Sequence, residues 1–192
     1  MKRKISICLL ISLIIMSCQH TKKELPIVKI RKRKTESVTG DTTKILMSRT
    51  YLHVFSDPMK PDTFKISLIG SSINKAKFLF EIVSVNNGKV YSEKDDASDL
   101  LGDLDDMTVK QNEDTIRVRF DNFLSADVFF KPALDKPKAT AIDTDYVDLK
   151  TQIDISSDST AVGFSYNMGY ESNFEIAYSK SQKKTVICFA SD

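Results

Sequence analysis

The sequence predicts a mainly β protein, either an antiparallel β-sandwich or a barrel-like sheet, with one short helix. Short runs in which apolar and polar residues alternate recur through most of the chain after residue 60, as is typical of half-buried strands. These runs follow one another at intervals of about 10–14 residues and are separated by turn-forming residues. The spacing favours antiparallel strands over an α/β fold, in which longer helical segments join the strands.

The clearest predicted feature is a hairpin in the first half of the chain. Phe64, Ile66 and Leu68 alternate with polar residues, and the apolar run 77–85 predicts a second, central strand. Asn-Asn-Gly at residues 86–88 tolerates positive φ, so we expect a tight turn there and a returning strand. Segment 44–55 fits neither a helical nor a strand period.

Alternation predicts six further strands in the second half of the chain. They cover residues 116–120, 127–131, 147–155, 162–166, 174–178 and 185–189. One helix is predicted at 95–106, where acidic residues fall in the first turn and Leu100, Leu101 and Leu104 share an apolar face. The helix dipole favours acidic side chains at that end.

The N-terminus has the organisation of an export signal. Three basic residues, at positions 2–4, precede an apolar run of twelve residues from Ile5 to Met16. A helix of that length spans about 18 Å, short of the ~30 Å hydrocarbon core of a bilayer. The run therefore predicts the apolar region of a signal peptide and not a permanent membrane span.

This run ends in Ile15-Met16-Ser17-Cys18, which resembles the lipobox of bacterial lipoproteins, although Met16 is not the commonest residue at its position. The resemblance implies diacylglyceryl transfer to the Cys18 thiol, cleavage before Cys18, and N-acylation. The predicted organisation is then a lipoprotein signal peptide (1–17), a lipid anchor with a basic flexible tether (18–60) and a β-rich domain of unknown function (61–192). The alternative is a plain secretory signal followed by an unrelated cysteine.

Charge divides the chain into two blocks. Residues 18–34 contain seven Lys and Arg against one Glu, whereas residues 35–192 contain 18 basic and 25 acidic residues. The basic run 29–34 is suited to anionic lipid headgroups, or to the role of a solvated spacer. By resemblance to the sorting signals of other bacterial lipoproteins, Gln19 does not specify the inner membrane, and the basic residues after it favour an outer-membrane anchor that faces the periplasm. We expect the membrane, through Cys18, and an envelope protein as partners, and no nucleic acid.

The order of these features resembles that of small Bacteroidota lipoproteins built around a domain of unknown function. The shared features are the lipobox, the basic tether, the hairpin at 87–91, the Asp-Leu-Leu segment 99–101 and the strand at 145–149. The resemblance covers most of the body. It implies no activity and no catalytic residues.

No motif in the mature chain identifies a reaction. His20 lies two residues from Cys18, so histidine catalysis would need His53, whose apolar neighbours predict a semi-buried structural residue. Cys188 is the remaining thiol of the mature chain, and its apolar strand predicts a buried core residue in preference to a Cys188–His53 dyad. No catalytic residue, cofactor, cofactor-binding residue or metal ligand is predicted.

Three weaker patterns remain. Acidic clusters at 95–106 and 143–148 suggest a weak calcium site or, more simply, a solvated acidic face. Tyr166 and Tyr170 are candidate stacking groups for a glycan, in a chain without Trp. Thr42, Thr115 and Ser159 each follow Asp and resemble acceptors in the O-glycosylation signal of exported Bacteroidota proteins, although Asp-Ser and Asp-Thr also favour turns.

The sequence thus favours a non-catalytic, lipid-anchored cell-envelope protein that serves as a binding or accessory module. A small-ligand or glycan-binding lipoprotein is the alternative. A carboxylate-dependent envelope hydrolase ranks third.

Overall fold

The chain folds into two antiparallel four-stranded sheets, which confirms the mainly β prediction. The computed structural model describes residues 44–102, 104, 106–134, 146–169 and 172–191. All of them belong to one of the chain's two units, Thr39–Asp192. The described strands form open sheets, so the arrangement is sandwich-like and not a closed barrel.

The first sheet is a meander in which each strand pairs with the next one along the chain. Its strands are β1 (Ile45–Asp57), β2 (Lys60–Ile69), β3 (Lys77–Ser84) and β4 (Gly88–Asp96). The predicted hairpin is confirmed, since Gly88 has φ 68° and joins β3 to β4. Only a residue that tolerates the left-handed region fits this turn without strain.

The folded body begins earlier than the sequence predicted. β1 pairs with β2 along nearly its whole length. Residues 45–57 therefore belong to the folded body and not to the predicted tether 18–60. Alternation is hidden in this edge strand because apolar residues lie on both faces. Phe55 is buried, whereas Leu52 is 61% exposed.

The second sheet has the same sequential order. Its strands are β5 (Phe129–Phe130), β6 (Gly163–Asn167), β7 (Asn173–Ser179) and β8 (Lys184–Ser191). The four strands predicted in these regions are confirmed. β5 is shorter than predicted because a 3-10 helix, Ala126–Val128, occupies the residues before it.

The predicted strand at 116–120 is wrong, because these residues belong to helix α1 (Val109–Asn122). The Thr108 hydroxyl accepts from Gln111 N–H, and the Gln111 side chain accepts from Thr108 N–H, which forms a capping box. Ile116 and Phe120 are fully buried, whereas Val118 is 59% exposed. A spacing of four fits both a helical face and a strand period, so the apolar pattern alone could not separate them.

The predicted strand at 147–155 is also wrong, because residues from Leu149 onward belong to helix α2 (Leu149–Ser157). Asp148 caps this helix by accepting from Thr151 N–H at 3.0 Å. Thr151 and Ile155 are buried, whereas Ile153 is half-exposed. The ambiguity is the same as in α1.

The helix predicted at 95–106 is reduced to a single 3-10 helix, Ala97–Leu101. Asp95 and Asp96 belong to the end of β4. Gly102 has φ 60° and ψ −124°, a conformation that ends the helix after five residues. Leu100 and Leu101 are buried as predicted, whereas Leu104 is 42% exposed.

The main core is a set of aromatic rings that joins the two sheets, here called the aromatic cluster. It comprises Phe64, Phe80, Phe123, Phe129, Phe164 and Tyr166. The ring centroid of Phe164 lies 5.3 Å from that of Phe64 and 5.3 Å from that of Phe80. These edge and tilted contacts add about 0.5–1.5 kcal/mol per pair beyond burial.

A second, smaller core lies between α2 and the outer side of the second sheet. Ile155, Val186 and Cys188 are buried there. The prediction of a buried Cys188 is therefore confirmed, and burial raises the pKa of its thiol to about 12. Within the described part of the chain, no helix is long and apolar enough to cross a membrane.

Replacing Phe164 should destabilise the protein more than replacing any exposed phenylalanine. We expect Phe164→Ala to lower the free energy of unfolding by about 3–5 kcal/mol, because it empties the centre of the aromatic cluster. The matched control is Phe189→Ala, in a strand of the same sheet but 41% exposed, with a loss of about 1 kcal/mol or less. Urea denaturation measures both, and equal losses would contradict this assignment of the core.

Candidate functional site

The best-defined concave site is a cleft of about 360 Å³ between the end of β1 and the β5 side of the second sheet. Its lining comes from four separate segments, residues 53–58, 126–131, 158–162 and 178–180. We call it the β1–β5 cleft. A volume of this size lies at the small end of the range for ligand pockets, about 300–1,000 Å³.

One wall of the cleft is an aromatic stack. The His53 ring lies parallel to Phe129, with centroids 4.0 Å apart and planes 13° apart. Phe129 in turn meets Phe64 edge-on at 5.0 Å, so the stack is anchored in the aromatic cluster. His53 Nδ1 lies 2.8 Å from the Val54 carbonyl oxygen, which can only accept, so Nδ1 is the donor. The structure thus places His53 half-buried on an edge strand.

A second wall of the cleft is the Phe130 ring, whose position depends on Gly163. A Cβ atom at Gly163 would lie 2.3 Å from Cζ of Phe130, far inside van der Waals contact. The Phe130 ring therefore lies directly over the Gly163 backbone, where any other residue would displace it. Gly163 pairs with Phe130 in the β5–β6 ladder, so this contact also holds β5 in place.

The mouth of the cleft carries a net positive charge among its described residues. Asp158 is its one lining carboxylate, and Oδ2 accepts from Lys180 Nζ at 2.5 Å. Hydrogen bonds from Lys180 and then from Thr160 lower the pKa of Asp158 to about 2. The charges of Lys180 and Asp158 cancel, whereas exposed Lys131 has no ion pair with any described residue.

The Ser56 hydroxyl and N–H inside the cleft already have partners. The Ser56 hydroxyl donates to Asp62 Oδ1 at 2.9 Å and lies 2.8 Å from the Ser84 hydroxyl. The Ser56 N–H donates to the other oxygen of the buried Asp62 at 2.5 Å. The cleft interior therefore offers a ligand apolar surface more than hydrogen bonds.

Tyr166 is not a stacking platform for a glycan. It is 4% exposed and belongs to the aromatic cluster. Its hydroxyl donates to Glu93 Oε2 at 2.5 Å and lies 2.7 Å from the Tyr91 hydroxyl, which also donates to Glu93. Burial, followed by nearby negative charge, raises the pKa of both tyrosines, so these phenols stay protonated. Tyr170 lies outside the described residues.

A larger cavity of about 580 Å³ lies near the C-terminal end of α1. Arg119, Asp127 and Asn167 contribute polar groups, and Arg119 Nη1 donates to the Leu100 carbonyl at 2.9 Å. Positions 103, 105, 170 and 171, which adjoin its glycines in sequence, lie outside the described residues. The β1–β5 cleft is therefore the better-defined site.

The acidic residues of segment 95–106 are divided among structural roles. Asp99 Oδ2 accepts from the Asp96 N–H, and Lys77 donates to Asp96 Oδ1. Asp95 Oδ2 is buried and has no hydrogen-bond partner among the described residues. Within the described ranges no group of three or more His, Cys, Asp and Glu residues could hold a metal ion. Asp103, Asp105, Asp143 and Asp145 lie outside them.

The remaining candidate residues do not converge on one site. Cys188 lies in the core under α2 and His53 stacks at the cleft, in a different cluster. Thr115 lies in α1 and is half-buried, whereas Ser159 is exposed in the turn before β6. Cys18 and Thr42 lie outside the described residues.

The sequence predicts His53 as a structural residue and gives no lining residue of the cleft a binding role. Phe129, Phe130 and Lys131 fall in the predicted strand 127–131, and Lys180 belongs to no predicted element. The sequence carries no signal for their meeting, because four segments up to 127 positions apart supply the lining. The Phe-Phe-Lys run 129–131 is the feature closest to such a signal.

Comparisons with protein-family models, with curated proteins and with solved structures give no match to this chain. The fold and the cleft are therefore interpreted from their own geometry.

Asp95 should make stability depend on pH. Burial, then Glu93, Asp99 and Asp96, raise its pKa from 3.8 to about 6. The folded state then binds the proton more tightly, so this group lowers stability as the pH rises from about 4 to 6. At pH 7.5 we expect the free energy of unfolding of Asp95→Asn to exceed that of the wild type by about 1 kcal/mol, a value reduced to allow for the partial exposure of Asp95. At pH 4 the two proteins should be equally stable.

Urea denaturation at both pH values tests this expectation. The control is Asp154→Asn, an exposed carboxylate of α2, which should change stability by less than about 0.5 kcal/mol at either pH. A destabilised Asp95→Asn protein at pH 7.5 would show that the carboxylate stabilises the fold.

Proposed function

We propose that this protein is a non-catalytic, lipid-anchored binding module of the bacterial cell envelope, with its ligand site in the β1–β5 cleft. The observation that carries the proposal is the cleft itself, in which aromatic walls held by the core meet a cationic mouth. A concave, largely apolar site with a few placed polar groups is the usual form of a small-ligand site.

The state of the reactive side chains supports a non-catalytic role. Burial raises the pKa of Cys188 to about 12, which suppresses its thiolate. Tyr91 and Tyr166 are kept protonated in a buried network. His53 stacks on Phe129, and its Nδ1 donates to the carbonyl oxygen of the next residue, Val54. No hydrolytic dyad follows from these positions.

The anchor is argued from the sequence. The lipobox-like Ile15-Met16-Ser17-Cys18 and the basic segment after it favour lipidation of Cys18 and an outer-membrane location facing the periplasm. The first described strand begins at Ile45. Residues 19–44 could span at most about 90 Å if fully extended, enough to hold the cleft away from the membrane surface.

The ligand should accompany the protein when it is purified from its own membranes in mild detergent. We expect mass spectrometry of an organic extract to find a small molecule at equal molar amount with the wild type. Ala126→Trp should lose it, because Ala126 is exposed on the cleft wall and the indole would fill the space.

The matched control is Ser98→Trp, an exposed small residue of another 3-10 helix that does not line the cleft. It should retain the small molecule. An unchanged extract from Ala126→Trp would place the ligand elsewhere or show that none is bound, and would refute the cleft as the site.

A second prediction concerns the anchor. Cys18→Ser should move the protein from the membrane fraction to the soluble fraction, because the acyl chains supply most of the membrane affinity. Intact mass should show the lipid adduct on the wild type only, and it also reports any glycan at Thr42 or Ser159. A wild type that carries no acyl mass would identify a plain secretory signal.

A second candidate function is that of an accessory module docked on an envelope protein. Leu52 and Val83 face outward from the first sheet on either side of Thr63, and both are exposed. Met59 is 85% exposed in the neighbouring β1–β2 turn. Exposed apolar patches of this kind often mark protein contacts. A stoichiometric protein companion in a cross-linked membrane sample would favour this function.

A further inference from the structure

We propose that the β1–β5 cleft selects an amphipathic anion, with one acidic head at Lys131 and an apolar tail between His53, Phe130 and Val162. This inference rests on the proposed binding function and names its ligand class. It follows from the aromatic walls of the cleft, the charge of its mouth and the hydrogen bonds that already occupy the Ser56 and Thr160 hydroxyls.

The interior suits an apolar tail. Phe55, Val162 and Tyr178 are buried at the base, and Phe129 and Phe130 form the walls. A volume of about 360 Å³ lies at the small end of the range for ligand pockets and has room for an alkyl chain of medium length. Because the rings are fixed by the aromatic cluster and by Gly163, the slot exists before a ligand enters, and little ordering opposes binding.

The interior does not suit a sugar. A glycan needs several side chains with free donors or acceptors, since each buried hydroxyl without a partner costs about 1–3 kcal/mol. The Ser56 hydroxyl is occupied by Asp62 and Ser84, and His53 Nδ1 is occupied by Val54. The Thr160 hydroxyl donates to Asp158 at 2.6 Å.

The mouth of the cleft favours a ligand with one negative charge, because Lys131 is its one lysine without an ion pair to a described residue. Lys180 is neutralised by Asp158, whose pKa of about 2 keeps it ionised throughout the neutral range. Lys131 has no charged partner among the described residues, and it follows Phe130 at the end of β5. A carboxylate at the top of an apolar tail would reach this ammonium without burying any uncompensated charge.

The test compares two probes with the same tail and opposite charge, decanoate and decyltrimethylammonium, below their micelle concentrations. The protein used is residues 18–192 with Cys18→Ser, so that no acyl group or detergent competes for the cleft. Isothermal titration at constant ionic strength should show decanoate binding about four- to 25-fold more tightly, the ratio expected when a two- to fivefold attraction is replaced by an equal repulsion.

Charge variants give changes of opposite sign. Lys131→Gln should weaken decanoate binding about two- to fivefold, whereas Asp158→Asn should strengthen it by a similar factor because Lys180 is released. A gain in affinity cannot come from misfolding. Lys150→Gln, an exposed lysine on α2, is the matched control and should leave the affinity unchanged.

The outcomes separate this inference from the proposed function. Equal affinities for the two probes, both lost in Ala126→Trp, would overturn the anion selectivity and leave the cleft as a ligand site. Decanoate binding that survives Ala126→Trp, or no binding of either probe, would also overturn the inference. In that case a small molecule that co-purifies with the native protein would still support the binding function.

Discussion

The contacts among phenylalanine rings between the two sheets are the interaction on which the rest of the structure depends. Phe64 and Phe80 from the first sheet meet Phe129 and Phe164 from the second, and three of these four rings are fully buried. Each sheet alone would expose its apolar face to water, so the sheets are stable only together. Phe129 also supports His53, which makes the cleft wall an extension of the core.

The cleft arises where this packing ends. β5 contains two residues, and its ladder with β6 ends at Gly163. The Phe130 ring can lie over that glycine because no Cβ occupies the space. Lys131 follows at once and brings a charge to the mouth. The apolar wall and the cation are neighbours because Lys131 directly follows Phe130 in the chain.

Polar groups inside the sandwich divide into satisfied and unsatisfied ones. Tyr91, Tyr166 and Glu93 form a closed network that links β4 to β6, and such networks specify how two sheets align. Asp95 lies nearby with one buried oxygen that has no partner among the described residues, and its pKa is raised accordingly. The ionised Asp95 carboxylate therefore lowers the free energy of unfolding at neutral pH.

The sequence by itself determined the fold class, the hairpin at Gly88 and the burial of Cys188, because strand alternation, positive φ and apolar flanks are local properties. It could not separate strand from helix at Ile116 and Phe120, since a spacing of four fits both periods. Only the tertiary structure decided that Tyr166 is a core residue, that His53 stacks on Phe129 and that Lys131 and Val162 line the same cleft. The physical reason is that burial and proximity depend on which distant segments pack together, and no local pattern encodes that packing.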